Sequence, residues 1–392
     1  MKKVFLIIIL GCSMGSICGQ NVSLVLQDIE RNNTTLKMLR AQAEARKTEA
    51  RTDIHLDNPE VDLGYLWGSP ANIGNRFDFN VTQRFDFPTT YYFKNKIANE
   101  AGRAADYEYA AARRQFLTEA AEWCVRLIYF NIMREEFQHH IEVAQSITEA
   151  YQKMYDAGEA NMLDLNKAKL NLLTANREFE DNLLERSLIL AELQRLNGGH
   201  EVLLNDTLYP NYTLPSDFDN WYRQIETLNP EIQELTVNQE ICRREIQLSK
   251  SQWAPHFTIG YNSESTLGTI LQGVGVGVEL PLWQNRHAVK SAQAQNVVAQ
   301  TALLDAKTQY YSELHTQYEQ AQRLLALYNE YMQVLYSVNT DLLLKKALDS
   351  GEIPLIEYIM ERNVYHESLH DAFAAQRDYY LAVIKLLLAS EF

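Results

Sequence analysis

The chain of 392 residues is poor in the residues that interrupt helices, with 9 prolines and 16 glycines. That scarcity excludes a loop-rich globular protein and points to long uninterrupted helices. Cysteine is equally sparse: Cys12 and Cys18 stand near the N-terminus, which leaves only Cys124 and Cys242. Two cysteines do not make a disulfide framework. After the first residues no run approaches about 18 consecutive apolar residues, so no transmembrane helix is expected. Positive charge is in deficit, 36 Lys and Arg against 51 Asp and Glu, for a net charge of −15. This argues against a nucleic-acid partner, which needs clustered cations, and suits the handling of cations. The sequence shows no nucleophile elbow, phosphate loop or paired-cysteine metal site, and no cofactor is expected.

What is present begins with Met1-Lys2-Lys3, an apolar run from Val4 to Leu10, and small or polar residues to Gly19-Gln20. This is the pattern of a secretory signal peptide over residues 1–19, cleaved after Gly19. An alternative is lipidation at Cys12, although Leu10 stands where a small residue is usual. A secreted chain without a membrane helix is soluble, lipid-anchored or a β-barrel.

The chain is also written twice. Asn33-Thr34-Thr35-Leu36 is echoed by Asn229-Pro230-Glu231-Ile232, and the segment from Asn58 to Tyr65 by that from Ala254 to Tyr261, both 196 residues later. Tyr155-Asp156-Ala157-Gly158-Glu159 is echoed by Leu348-Asp349-Ser350-Gly351-Glu352 at an offset of 193. Three landmarks in one order mark a tandem duplication.

Each copy reads as helix, strand, strand, very long helix, tight turn, long helix. The first helix is expected over Val22 to Leu56, ending before Asn58-Pro59. Strands are expected at about 58–68 and 76–88, where Val61, Leu63, Tyr65 and Trp67, then Phe77, Phe79, Val81, Phe85 and Phe87, recur at period two. Their second-copy counterparts fall at about 255–267 and 272–283, with Val274, Val276 and Val278 alternating with Gly273, Gly275 and Gly277. Four such segments behind a signal peptide carry the signature of a membrane barrel. From Thr90 to Asp156 there is no proline and one glycine, Gly102; from Asn285 to Ser350 there is neither. A helix of about 65 residues is roughly 100 Å long, and such helices must pack side by side as coiled coils. Four strands cannot close a barrel, so several chains must share one.

The duplicated unit, the Ala254-Pro255-His256-Phe257-Thr258-Ile259-Gly260-Tyr261 strand and the Gly-Glu tip motifs resemble the TolC family of outer-membrane efflux proteins. The resemblance spans the whole mature chain, as a first repeat (20–198) and a second (223–392). It implies a mainly α protein with a β-barrel portion: a homotrimer whose twelve-stranded outer-membrane barrel continues as a periplasmic α-helical tunnel. It also implies docking to a periplasmic adaptor and an inner-membrane pump, and makes residues 199–222 an equatorial linker kept irregular by Pro210 and Pro215.

The resemblance further assigns adaptor docking to the tips: Gly158, Glu159, Leu163 and Asp164 in one, Gly351, Glu352, Ile356 and Glu357 in the other. Glu357 matches a position for an acidic ring at a periplasmic gate. Met360 and Ile353 depart from the family's other gate residues, so no salt-bridge lock carries over. Counted from the tip glycines, His139, His140, His366 and His370 lie at similar heights, roughly 25 Å up, and are candidates for a metal-binding belt. The string His366-Glu367-Ser368-Leu369-His370 has the zinc-protease spacing, but a long helix offers it no cleft. Cys124 and Cys242, roughly 30 Å apart in height, are expected to be free thiols. The function expected is a passive, non-enzymatic efflux duct, for heavy-metal cations or, alternatively, for drugs, bile salts or a type I secreted polypeptide.

Overall fold

Helix α3 (Pro88–Asp156) runs for 69 residues in the computed structural model, which describes residues 20–283, 285–337 and 340–391. Its length, about 100 Å at ~1.5 Å per residue, follows from the missing helix breakers. The signal peptide and Cys12 lie outside the described residues.

The chain forms two compact units, to both of which α3 and α7 (Ala288–Ser337) contribute. One consists of Thr35–Arg114 and Asp219–Glu313. It holds most of α2 (Thr34–Glu49), of α5 (Phe218–Ile225), all of α6 (Pro230–Ser251) and the sheet. The strands β1 (Glu60–Leu66), β2 (Arg76–Phe85), β3 (His256–Thr266) and β4 (Thr269–Glu279) pair in that order, each antiparallel to the next. Beside them α2 is tied to α3 by Lys47–Asp106 and Arg46–Glu108, and α6 by Arg114–Glu231 at 3.3 Å. Asn229 starts α6 by accepting the Glu231 N–H at 2.8 Å, with Pro230 in the first turn, where its missing N–H costs nothing.

The other unit is helical, built from the residues up to Thr34, Gln115–Phe218 and Leu314–Glu391. It contains α1 (Gln20–Asn32), α4 (Met162–Leu196), α8 (Thr340–Asp349) and α9 (Leu355–Glu391). Its core gathers Ile29, Leu117, Leu127, Ile128, Leu193 and Leu196, all essentially buried. Residues 200–217 form no helix or long strand and are pinned from α3. The fully buried Asn131 amide donates to the carbonyls of Leu204 and Asp206 at 3.1 and 3.0 Å, while its oxygen accepts from Arg186 at 2.8 Å. Tyr209 stacks on Tyr380 of α9 at 4.3 Å.

Several expected boundaries move. The first helix does not run from Val22 to Leu56: it breaks at Asn33, whose side chain donates to the Leu196 carbonyl, and α2 ends at Glu49. The linker does not extend to Tyr222, because α5 begins at Phe218, where that ring packs on Tyr318 at 5.3 Å. The expected helix over 285–350 is described as α7 and α8, on either side of residues 338–339. The strands β2 and β4 end three to four residues earlier than expected, at Phe85 and Glu279.

Candidate functional site

The sheet has two unlike faces. Register places Val61, Val81, Tyr261 and Val274 in one row across all four strands, and Ile259 beside Val276 in the next. Because side chains alternate, Leu63, Phe77 and Phe79 share that face. It is open to its surroundings: Leu63 is 68 % exposed and Val274 74 %. The opposite face carries Asp62, Asn80 and Asn262 in one row, with Asp78 and Glu264 in the next. Here Arg76 pairs with Asp78 at 2.7 Å and Glu264 at 3.2 Å, and Arg84 with Glu279 at 2.9 Å. Strands β1 and β4 are the two edges. Among the described residues no helix is long and apolar enough to cross a membrane.

In the helical unit the two tip turns close in the same way. At the first, Gly158 at φ +79 donates to the Tyr155 carbonyl and Glu159 to that of Met154. At the second, Gly351 at φ +73 donates to Leu348 and Glu352 to Ala347. Both are helix stops of the Schellman type, which need a left-handed residue and so favour glycine. Asn161 then caps α4 by accepting the Asp164 N–H at 2.9 Å, and Asp164 pairs with Lys167 at 3.2 Å. Beneath the turns Ala168, Leu355, Tyr358 and Ile359 form a buried cluster, with Ile147, Tyr151 and Leu348 packed against it. Outside it, Leu163, Ile356, Glu159, Glu352 and Glu357 are exposed, as are Met162 and Met360.

Higher on these helices three side chains converge. His140 of α3, Glu178 of α4 and His366 of α9 place ligand atoms within 4.8 Å of one another. The two imidazoles meet edge-on at 4.3 Å, and His366 Nε2 lies 3.8 Å from Glu178 Oε2. Burial, helped by His366, Arg362 and His139, pushes the His140 imidazole down to about 4, and burial raises the Glu178 carboxyl. The other two histidines stand elsewhere. His139 is exposed and lines a different cavity, and His370 Nε2 lies 2.9 Å from the Tyr129 hydroxyl. Thus His366 and His370 of the protease-like string have different partners, and Glu367 is exposed.

Sequence reasoning missed Glu178, although it stands 20 residues after Gly158 and so at the height of the histidines. It also missed Asn131 and Arg186, whose only signal is a polar residue inside an apolar helix face. Cys124 and Cys242 are free; burial pushes the Cys124 thiol up to about 12 and raises that of Cys242.

No protein-family model matches the sequence, and no curated protein matches it. Solved structures do. CusC, which folds into a transmembrane channel, is similar at a TM-score of 0.82 and 14% identity, over 95% of this chain and 92% of its own. VceC, an outer membrane protein of Vibrio cholerae, is similar at 0.73 and 18% identity, over 94% and 95%. The MtrE outer membrane channel of Neisseria gonorrhoeae, in its open state, is similar at 0.73 and 13% identity, over 96% and 93%. Agreement over nearly the full length of each shows that this chain shares the fold of these channel and outer-membrane protein structures.

Proposed function

We propose that the chain is the outer-membrane duct of a tripartite efflux system, working as a homotrimer with a periplasmic adaptor and an inner-membrane pump. The observation that carries this reading is the four-stranded sheet with one exposed apolar face and two open edges. Alone, it suits neither solvent: in water the apolar face stays wet, and in lipid the edges hold unpaired N–H and C=O groups. Pairing β4 of one copy with β1 of the next removes both problems, and about twelve strands from three copies close a barrel of ordinary size. The ion-paired polar face then lines the bore, and the apolar face meets lipid.

The helices form the periplasmic tunnel. Their tips, Gly158 to Asp164 and Gly351 to Glu357, receive the adaptor, with exposed Leu163 and Ile356 giving it apolar contact. Glu357, exposed on the first turn of α9, forms an acidic ring when three copies surround the axis. Transport energy comes from the pump, so the duct needs no catalytic residues. The net charge of −15 favours cationic cargo, metal ions among them, over anions such as bile salts.

Single-channel conductance in planar bilayers, with the oligomeric mass measured in parallel, tests the reading. A trimer with small, cation-selective conductance that rises in Glu357→Ala supports duct and gate together. An unchanged conductance in the variant discards the gate, and a soluble monomer without channels overturns the duct.

A further inference from the structure

We propose that His140, Glu178 and His366 form a binding site for a divalent first-row transition-metal ion of the zinc type, which ties the first tip hairpin to α9. Two imidazole nitrogens and one carboxylate oxygen are a borderline donor set. It suits zinc, cobalt or nickel, while calcium and magnesium prefer oxygen alone and copper(I) prefers sulfur. The three groups come from three helices of one compact unit, α3, α4 and α9.

The geometry is close to that of a loaded site. Ligand atoms on a tetrahedral ion stand about 3.4 Å apart for bonds of ~2.1 Å. Here they lie within 4.8 Å, so side-chain rotation of about an ångström closes the shell. His140 is 6 % exposed, and its Nδ1 is shut off from solvent with no hydrogen-bond partner among the described residues. Buried polar nitrogens of this kind normally have a partner, and an ion supplies one. The cluster opens on a cavity of about 390 Å³ that also touches Asn171, Thr174 and Glu367, leaving room for a water as fourth ligand.

One charge opposes the ion. Arg362, one turn before His366 and buried, adds a positive field, partly offset by Glu178 and Glu367. The site is therefore expected to exchange its ion rather than hold it permanently. When bound, the ion stabilises the arrangement of α3, α4 and α9 by mass action. Binding depends on one chain's side chains and stands or falls apart from the export role.

The test is a zinc titration of the full-length protein in detergent, carrying no polyhistidine tag, in competition with a chromophoric chelator. One ion per chain is expected, with cobalt giving the visible spectrum of a nitrogen–oxygen site. His140→Ala and His366→Ala each abolish stoichiometric binding, and the same-shaped Glu178→Gln weakens it at least about tenfold. His139→Ala and His370→Ala leave it unchanged. Circular dichroism of each variant separates a lost ligand from a lost fold. Wild-type protein that binds no stoichiometric zinc, or a folded His140→Ala/His366→Ala protein that binds it as before, overturns the site.

Discussion

At the first tip Gly158 ends α3 at φ +79, and Asn161 caps the helix that follows. At the second, Gly351 ends α8 at φ +73, and Pro354 stands where Asn161 does, 193 residues on. The stops are copies of each other down to their hydrogen bonds, and the restarts are not. Burial diverges with them. Leu355 is 4 % exposed and sits in the cluster beneath the tips, whereas its counterpart Met162 is 52 % exposed. The histidine cluster has no counterpart either: at the same offset from the tips stand Gln333 for His140, Asp371 for Glu178 and Leu173 for His366. The two turns thus share what the backbone needs in order to turn, a residue that tolerates positive φ, and differ in the side chains around it. The second restart buries its first helical residue, Leu355, in that core, and the first presents its own, Met162, outward.

Leu355→Ala puts that contrast under the most strain. Removing a buried leucine from a packed cluster costs about 2–5 kcal/mol. It should appear as lost amide-exchange protection in α8 and the start of α9. Met162→Ala removes a side chain that is half exposed and should stay within about 0.5 kcal/mol. Equal losses at the two positions would mean that the tips are anchored alike. Next in size are Gly158→Ala and Gly351→Ala. A Cβ built at either glycine meets nothing within 4 Å, so only backbone strain opposes it. Each should cost about 1–2 kcal/mol, and by the same amount, since the two stops share φ and bonding. A clear difference in thermal shift between the two variants would show that the turns are not equivalent after all.

How far the sequence discloses these differences depends on whether their causes are local. The 69-residue α3 is legible because proline stands only at its first position and Gly102 is its one glycine, and the strands because Val, Phe and Tyr recur at period two. Gly158 and Gly351 announce their turns through their own backbone needs. The break at Asn33 is not legible, since its cause is a carbonyl 163 residues away on Leu196. The path of the linker is equally hidden, being fixed by Asn131 from the middle of α3. For the histidines, counting along a helix gives height, about 1.5 Å per residue, but not which way a side chain faces. Height groups His139, His140, His366 and His370 together. Facing, set by how the helices pack, joins His140 and His366 to Glu178 and gives His370 to Tyr129.

The smallest expected effect lies where the two restarts differ. Asn161 works in the folded state: its side-chain oxygen satisfies the Asp164 N–H, one of the donors that the first turn of α4 leaves open. Asn161→Ala should therefore cost about 1 kcal/mol, and Asn161→Asp should keep the cap and gain a few tenths from the helix dipole. Pro354 has no N–H and works instead by limiting the unfolded chain. Pro354→Ala should cost ~0.4–1 kcal/mol, and Pro354→Asp should recover only what a new cap supplies. The two mechanisms separate in amide exchange. Loss of the Asn161 cap frays the first turn of α4 locally, while loss of Pro354 lowers stability without selective fraying at the start of α9. Fraying of α9 alone in Pro354→Ala would show that proline holds the second restart in the folded state, as asparagine holds the first.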